Sequence, residues 1–195
     1  MNTSNPSQPP ATLVMNAEAM AEAIRRMARE IAAAHPAMDE VVLLGILSRG
    51  RPLADRLASL LGTMTGAEPA VGTLATTLYR DDLRAGVRTV KASGATHFDF
   101  NVTGATVIIV DDVIAAGRTA RAAMDEVMDY GRPRRIQLAC LVDRGQRELP
   151  IQPDFCGLRF FTGPHDHVSV LLDETDGEDK VLLEQAYTGD EDESS

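Results

Sequence analysis

Residues 106–121, TVIIVDDVIAAGRTAR, constrain the fold more than any other stretch of the chain. Val107, Ile108, Ile109 and Val110 form a β-branched run with no polar break. Such a run predicts a strand buried on both faces. Asp111 and Asp112 stand at its C-terminal end, and Ala115, Ala116 and Gly117 make a small-residue turn. A helical pattern then starts near Arg118 and Thr119, and Gly131 and Pro133 stop it. Strand, acidic pair, tight turn and helix start together make a place to hold a sugar phosphate. Small residues let backbone N–H groups approach an anion, and the helix dipole favours it there.

The same alternation runs through the chain. Residues 17–34 read as a helix, because Met20, Ile24, Met27 and Ile31 recur at spacings of four, three and four. Residues 40–47 (EVVLLGIL) are a buried strand, followed by Ser48-Arg49-Gly50 and a helix marked by Leu53, Leu57 and Leu60. Residues 70–79 are a second strand and 136–142 another, ending in Asp143-Arg144-Gly145. Residues 168–172 read as the last strand. Between 84 and 104 there is little periodicity, although Phe98, Phe100 and Val102 alternate as in a short edge strand. Buried strands alternating with helices predict an α/β domain with an open, mostly parallel sheet. Ligands bind outside the carboxyl ends of such strands, where three polar loops are expected to converge.

The chemistry of those loops is open at this level. Asp111 and Asp112 can bind a metal, act as acid and base, or accept hydrogen bonds from a diol. Neighbours on an extended chain point opposite ways, so a turn is needed to bring both to one ligand. The segment at 115–119 is neither a Walker A loop nor a GxGxxG loop; an ordinary strand-to-helix turn is the alternative. Ser48-Arg49-Gly50 can hold a second phosphate through the planar fork of Arg49, or Arg49 is a surface residue. Asp143 and Arg144 can read a base, help bind phosphate, or form a turn. His165 and His167 offer two metal ligands without a third nearby. Arg132, Arg134, Arg135, Arg144 and Arg147 are a candidate basic patch for nucleic acid, although such arginines more often make scattered surface pairs.

Composition narrows the class. The 195 residues suit one domain with a small flap, and no apolar run reaches the ~18 residues of a membrane span. The net charge of -10 resides in the last stretch: from Asp173 onward ten acids face Lys180 alone. A solvated acidic tail, at 188–195, is expected. Residues 1–16, rich in Asn, Ser and Pro, read as a disordered leader without the features of a signal peptide. The domain proper is then 17–187. Cys140 lies in the apolar run IQLACLV, where a reduced buried thiol is the simplest reading. With two cysteines there is no disulfide framework, which fits a cytoplasmic protein.

VIIVDDVIAAGRT resembles the phosphoribosyl-diphosphate (PRPP) signature of type I phosphoribosyltransferases. TLYRDDL at 77–83, GRTARAAMD at 117–125 and YGRPRRIQLACLVDRGQRELPIQPDFCG at 130–157 resemble the PyrR family more specifically. Members of that family regulate pyrimidine operons by attenuation and are uracil phosphoribosyltransferases. The resemblance implies a five-stranded parallel core with a flexible hood at about 80–104. It implies that Ala115, Ala116, Gly117, Arg118 and Thr119 cradle the 5′-phosphate, and that Asp111 and Asp112 accept from the ribose hydroxyls. It assigns Ser48, Arg49 and Gly50 to pyrophosphate, Arg80 to the hood's root, and Asp143 and Arg144 to the neighbourhood of the base. Catalysis would rest on Asp111, Asp112, Arg49 and Arg80, with Mg²⁺ carried mainly by PRPP and water rather than by protein ligands. The implied partners are PRPP, uracil, UMP, pyrimidine-operon leader RNA and further copies of the chain. Three departures stand out. Ala115-Ala116 replaces a pair that ends in a hydroxyl residue, Leu47 replaces a polar residue, and LRFFTGPHDH after Gly157 lacks the basic, hydroxyl-rich pattern of RNA-attenuating members.

Overall fold

The computed structural model describes residues 11–76 and 95–185. Five strands form one parallel sheet: β2 (Val41–Ile46), β3 (Ala70–Leu74), β4 (Thr106–Ile114), β5 (Arg135–Asp143) and β6 (Phe155–Arg159), in the order β3-β2-β4-β5-β6. Three helices cover it: α1 (Ala17–Ala34), α2 (Gly50–Thr65) and α3 (Arg118–Tyr130). The expected five-stranded parallel sheet is present. Its continuous apolar runs follow from cover on both faces. Leu43, Ile108, Val110 and Leu141 pack with Ile24, Met27, Ile31, Leu57 and Leu61 of α1 and α2. Leu44, Val107, Ile109 and Leu138 face the other way, against Ala120, Ala123 and Val127 of α3.

A second, antiparallel sheet pairs β1 (Ala11–Met15), β8 (Lys180–Glu184) and β7 (His167–Leu171), in the order β1-β8-β7. Two expectations are corrected by it. The leader drawn to residue 16 ends earlier, because Thr12, Leu13 and Met15 pair with Leu183, Leu182 and Val181. The strand at 167–171 is followed by another, reached through the short helix α4 (Asp173–Asp176). The acidic residues of this region hid the alternation of Val181 and Leu183, which pack against the core. The leader's first ten residues and the acidic tail at 188–195 lie outside the described residues.

The second sheet is fastened to α2 by charge. Arg56 donates from Nη2 to Glu174 at 2.6 Å and to Asp179 at 2.7 Å. These bonds push the Arg56 guanidinium up and hold both carboxyls below their ordinary values. The strand expected at 70–79 is seen as β3, ending at Leu74. His97 forms a two-bond antiparallel bridge with Thr73, at 2.9 and 3.0 Å, beyond which Phe98 stacks on Phe100. Most of the expected hood, from 80 to 94, lies outside the described residues, as does Arg80.

Candidate active site

Register places three loops side by side. β2, β4 and β5 are adjacent and parallel, so their C-terminal ends open at one edge of the sheet. From β2 come Ser48, Arg49 and Gly50, after a cis peptide bond between Leu47 and Ser48. Gly50 starts α2 against β4; a Cβ there would stand 2.3 Å from the Val110 carbonyl oxygen. Only glycine permits that approach, and it brings Arg49 to the acidic end of β4.

Asp111 and Asp112 both lie within β4, which runs on to Ile114. The turn expected directly after them comes later. Asp111 pairs in register with Cys140 and is buried; Asp112 is half-buried, and its N–H donates to Asp111 Oδ1 at 3.0 Å. Burial pushes the Asp112 carboxyl up, while the hydrogen bond with Asp111 and the positive Arg49 oppose it. Arg49 and Asp112 therefore act on each other across adjacent strands. Arg49 Nη2 also donates to Asp176 Oδ1 of α4 at 3.1 Å. Its Nε is buried and has no hydrogen-bond partner among the described residues. A buried orphan donor of this kind is costly unless a ligand meets it.

Gly117 caps α3 with φ +89, a left-handed conformation, and no side chain caps the helix. The first N–H groups of α3 thus remain for an anion. The turn is braced from behind. Ala116 accepts from the N–H groups of Glu148 and Leu149 at 3.0 and 3.1 Å. Ala115 accepts from Arg147 Nη1 at 2.8 Å. The Arg118 side chain donates from Nε to Glu148 at 2.8 Å.

The third loop divides its labour. Asp143 is buried, binds Arg147 Nη2 at 2.7 Å and accepts from the Gly145 N–H at 3.0 Å. Its carboxylate thereby shapes the loop. Arg144 donates to the Asp166 carbonyl at 2.6 Å and to Gln146 at 3.0 Å, with its Nε buried and unpaired among the described residues. Burial pulls its guanidinium below the ordinary value. The five arginines of the expected basic patch do not act alike. Arg147 is bound inward and Arg144 is part-buried, and Arg134 pairs with Glu40 at 2.6 Å.

A model of the phosphoribosyl transferase domain family matches residues 12–171. "Bifunctional protein PyrR" from Thermus aquaticus is 48% identical over 171 residues, covering 87% of this chain and 93% of that one. The protein of the same name from a Synechococcus strain is 46% identical, with 87% and 92% covered. This chain belongs to the PyrR family of phosphoribosyltransferases. Its fold agrees with solved structures at lower identity. Hypoxanthine phosphoribosyltransferase of Trypanosoma cruzi superposes with a TM-score of 0.67 at 16% identity, over 89% of this chain and 96% of that one. The Leishmania tarentolae enzyme solved with GMP gives 0.65 at 18%, over 93% and 100%.

Set in that family, the loops with Ser48 to Gly50, Asp111 to Asp112 and Ala115 to Thr119 are neighbours, as the sequence led one to expect. Two participants were not foreseen. Arg147 ties the 115–119 turn to β5, and RGQRELP carried that signal only as one more arginine. Asp176 meets Arg49 from an acidic stretch that composition alone assigned to solvent.

Proposed function

We propose that the protein transfers the phosphoribosyl group of PRPP to uracil, giving UMP and pyrophosphate. The observation that carries this is Arg49: a guanidinium with a buried donor that no described residue meets, set against Asp112 at the mouth of two parallel strands. Breaking the bond from C1′ to pyrophosphate builds positive charge on the ribose and negative charge on the leaving group. Arg49 and the Ser48–Gly50 backbone stabilise the leaving group. Asp111 and Asp112 accept from the ribose hydroxyls and fix the ring. The uncapped N–H groups of α3 hold the 5′-phosphate at Gly117, Arg118 and Thr119. Arg80, which lies outside the described residues, is assigned to the same site by the family resemblance alone. Positioning, rather than covalent chemistry, supplies most of the rate.

The donor set fits a hard cation that arrives on its ligand. The Asp111–Asp112 carboxylates would offer it oxygens at the C-terminal end of β4. When bound with PRPP, Mg²⁺ neutralises charge on the diphosphate.

The relatives' bifunctional character supports a second role, in which UMP and PRPP govern binding to pyrimidine-operon leader RNA. A cytoplasmic setting and a homo-oligomer complete the reading. Steady-state turnover with uracil, PRPP and Mg²⁺ tests the catalytic claim; folded protein that forms no UMP above background overturns it. Gel shift on leader RNA at low salt, with and without UMP, tests the second, and failure to bind overturns it.

A further inference from the structure

Cys140 and Cys156 stand opposite each other on the adjacent parallel strands β5 and β6. Their sulfurs are 3.9 Å apart. Registered neighbours in a sheet lie about 4.8 Å apart, inside the Cα separations that a disulfide spans. Closing the bond requires the sulfurs to move to about 2.05 Å, a side-chain adjustment. The pair belongs to a row. Asp111 of β4 is the registered partner of Cys140, so Asp111, Cys140 and Cys156 lie across three strands on the α3 face of the sheet.

We propose that Cys140 and Cys156 are a modification site: a dithiol that a hydroperoxide oxidises to a disulfide in the folded protein, next to Asp111. The two thiols are not equivalent. Both thiols are buried, Cys140 fully and Cys156 to 9% exposure on the edge strand; Cys140 donates to the Cys156 sulfur, which also reaches the Leu158 carbonyl at 3.3 Å. The bond from Cys140 holds the Cys156 thiol down at about 7 and pushes Cys140 well up. Cys156 is thus the nucleophile and Cys140 the resolving thiol.

The Cys156 thiolate attacks one peroxide oxygen. The O–O bond breaks, a sulfenic acid forms, and the departing hydroxide takes the proton that Cys156 released, leaving as water. The Cys140 sulfur then attacks Cys156 Sγ. The S–O bond breaks, and the hydroxyl leaves with the Cys140 proton as a second water. One peroxide is reduced and two thiols are oxidised. Bond formation draws Cys140 toward β6 and away from Asp111. The expected consequence is weaker PRPP binding, a part of the inference that rests on Asp111 holding ribose.

The first test uses the full wild-type chain. Thiols are counted after unfolding, before and after hydrogen peroxide, with intact mass and a non-reducing peptide map. Expected are a fall from two thiols to none, a monomer about 2 Da lighter, a Cys140–Cys156 cross-linked peptide and full reversal by dithiothreitol. Cys140→Ala should stop at a Cys156 sulfenic acid trapped by a β-diketone, while Cys156→Ala should leave Cys140 reduced. Two thiols that survive peroxide, or a disulfide found only between chains, overturn the site. Calorimetric titration of PRPP into the reduced and oxidised forms should show a severalfold loss on oxidation; equal affinities overturn the link to Asp111. Failure of PRPP to bind either form counts against the proposed function and leaves the thiol result standing.

Discussion

Arg49 Nη2 lies 3.1 Å from Asp176 Oδ1, which joins the expected pyrophosphate loop to the second sheet. The Leu172 N–H and the Thr175 hydroxyl also donate to Asp176, and with Arg49 they hold its carboxyl below the ordinary value. In the free protein this carboxylate engages one of the donors that Arg49, on the proposed function, would offer an anionic ligand. Both side chains are partly exposed, so the pair contributes no more than about 1 kcal/mol. Asp176→Asn keeps an acceptor for Leu172 and removes the charge. PRPP affinity, measured by calorimetry, should rise up to about fivefold. A fall would show that Asp176 serves the ligand rather than competing with it.

The 115–119 turn supplies a second prediction. On the proposed function a hydroxyl at position 116 would donate to the 5′-phosphate, and the Ala116 carbonyl is already taken by the N–H groups of Glu148 and Leu149. Ala116→Thr leaves those bonds in place and adds a donor. A hydrogen bond to a charged group contributes roughly 1.5–3 kcal/mol, so PRPP and UMP should bind about ten- to a hundredfold more tightly. Equal affinities in parallel titrations would contradict the placement of the phosphate at this turn.

Acid should loosen the Arg56 clamp. The folded protein holds Glu174 and Asp179 below their ordinary values of 4.5 and 3.8, in both cases chiefly through the hydrogen bond from Arg56. Depressed carboxyls stabilise the fold fully above those ordinary values, and the contribution is lost as pH falls through the lower folded ones. Melting temperature followed from about pH 6 downward should show a decline beginning near pH 4–5. Arg56→Gln should flatten that limb and lower the melting temperature at neutral pH. An unchanged acid limb in the variant would place the titration elsewhere.

The parallel sheet was legible because a strand buried on both faces has one sequence signature, and Val107 to Val110 carry it without interruption. The positions of the loops at Ser48 to Gly50 and at 115–119 followed from where such strands must end. The second sheet was legible only in β7. β1 and β8 are short, and their apolar residues stand among polar leader residues and acids, so composition outweighed alternation. β6 was missed for a similar reason: Phe155–Arg159 is five residues long and follows a proline-bearing loop. Arg147 and Asp176 were missed because their roles depend on neighbours distant in sequence. The Ala115 carbonyl, 32 residues away, decides the first, and Arg49, 127 residues away, the second.

Arg147 carries the last prediction. Its side chain is mostly buried and donates to the carbonyls of Ala115, Gly145 and Ile151 while pairing with buried Asp143. No single neighbour could replace that set, because one planar guanidinium reaches a carboxylate and three carbonyls at once. Arg147→Met retains much of the volume and removes every donor. Asp143 is then a buried carboxylate deprived of its closest partner, with Arg159 Nε 3.8 Å away. Breaking a buried pair in this way costs about 3–5 kcal/mol. Chemical denaturation should register that loss, and KM for PRPP should rise because the 115–119 turn loses its brace. Arg147→Met, Asp143→Leu together should recover part of the stability, since no unpaired charge remains, without recovering PRPP affinity. A double variant that regained both would show that the brace is dispensable and that the buried charge alone was at fault.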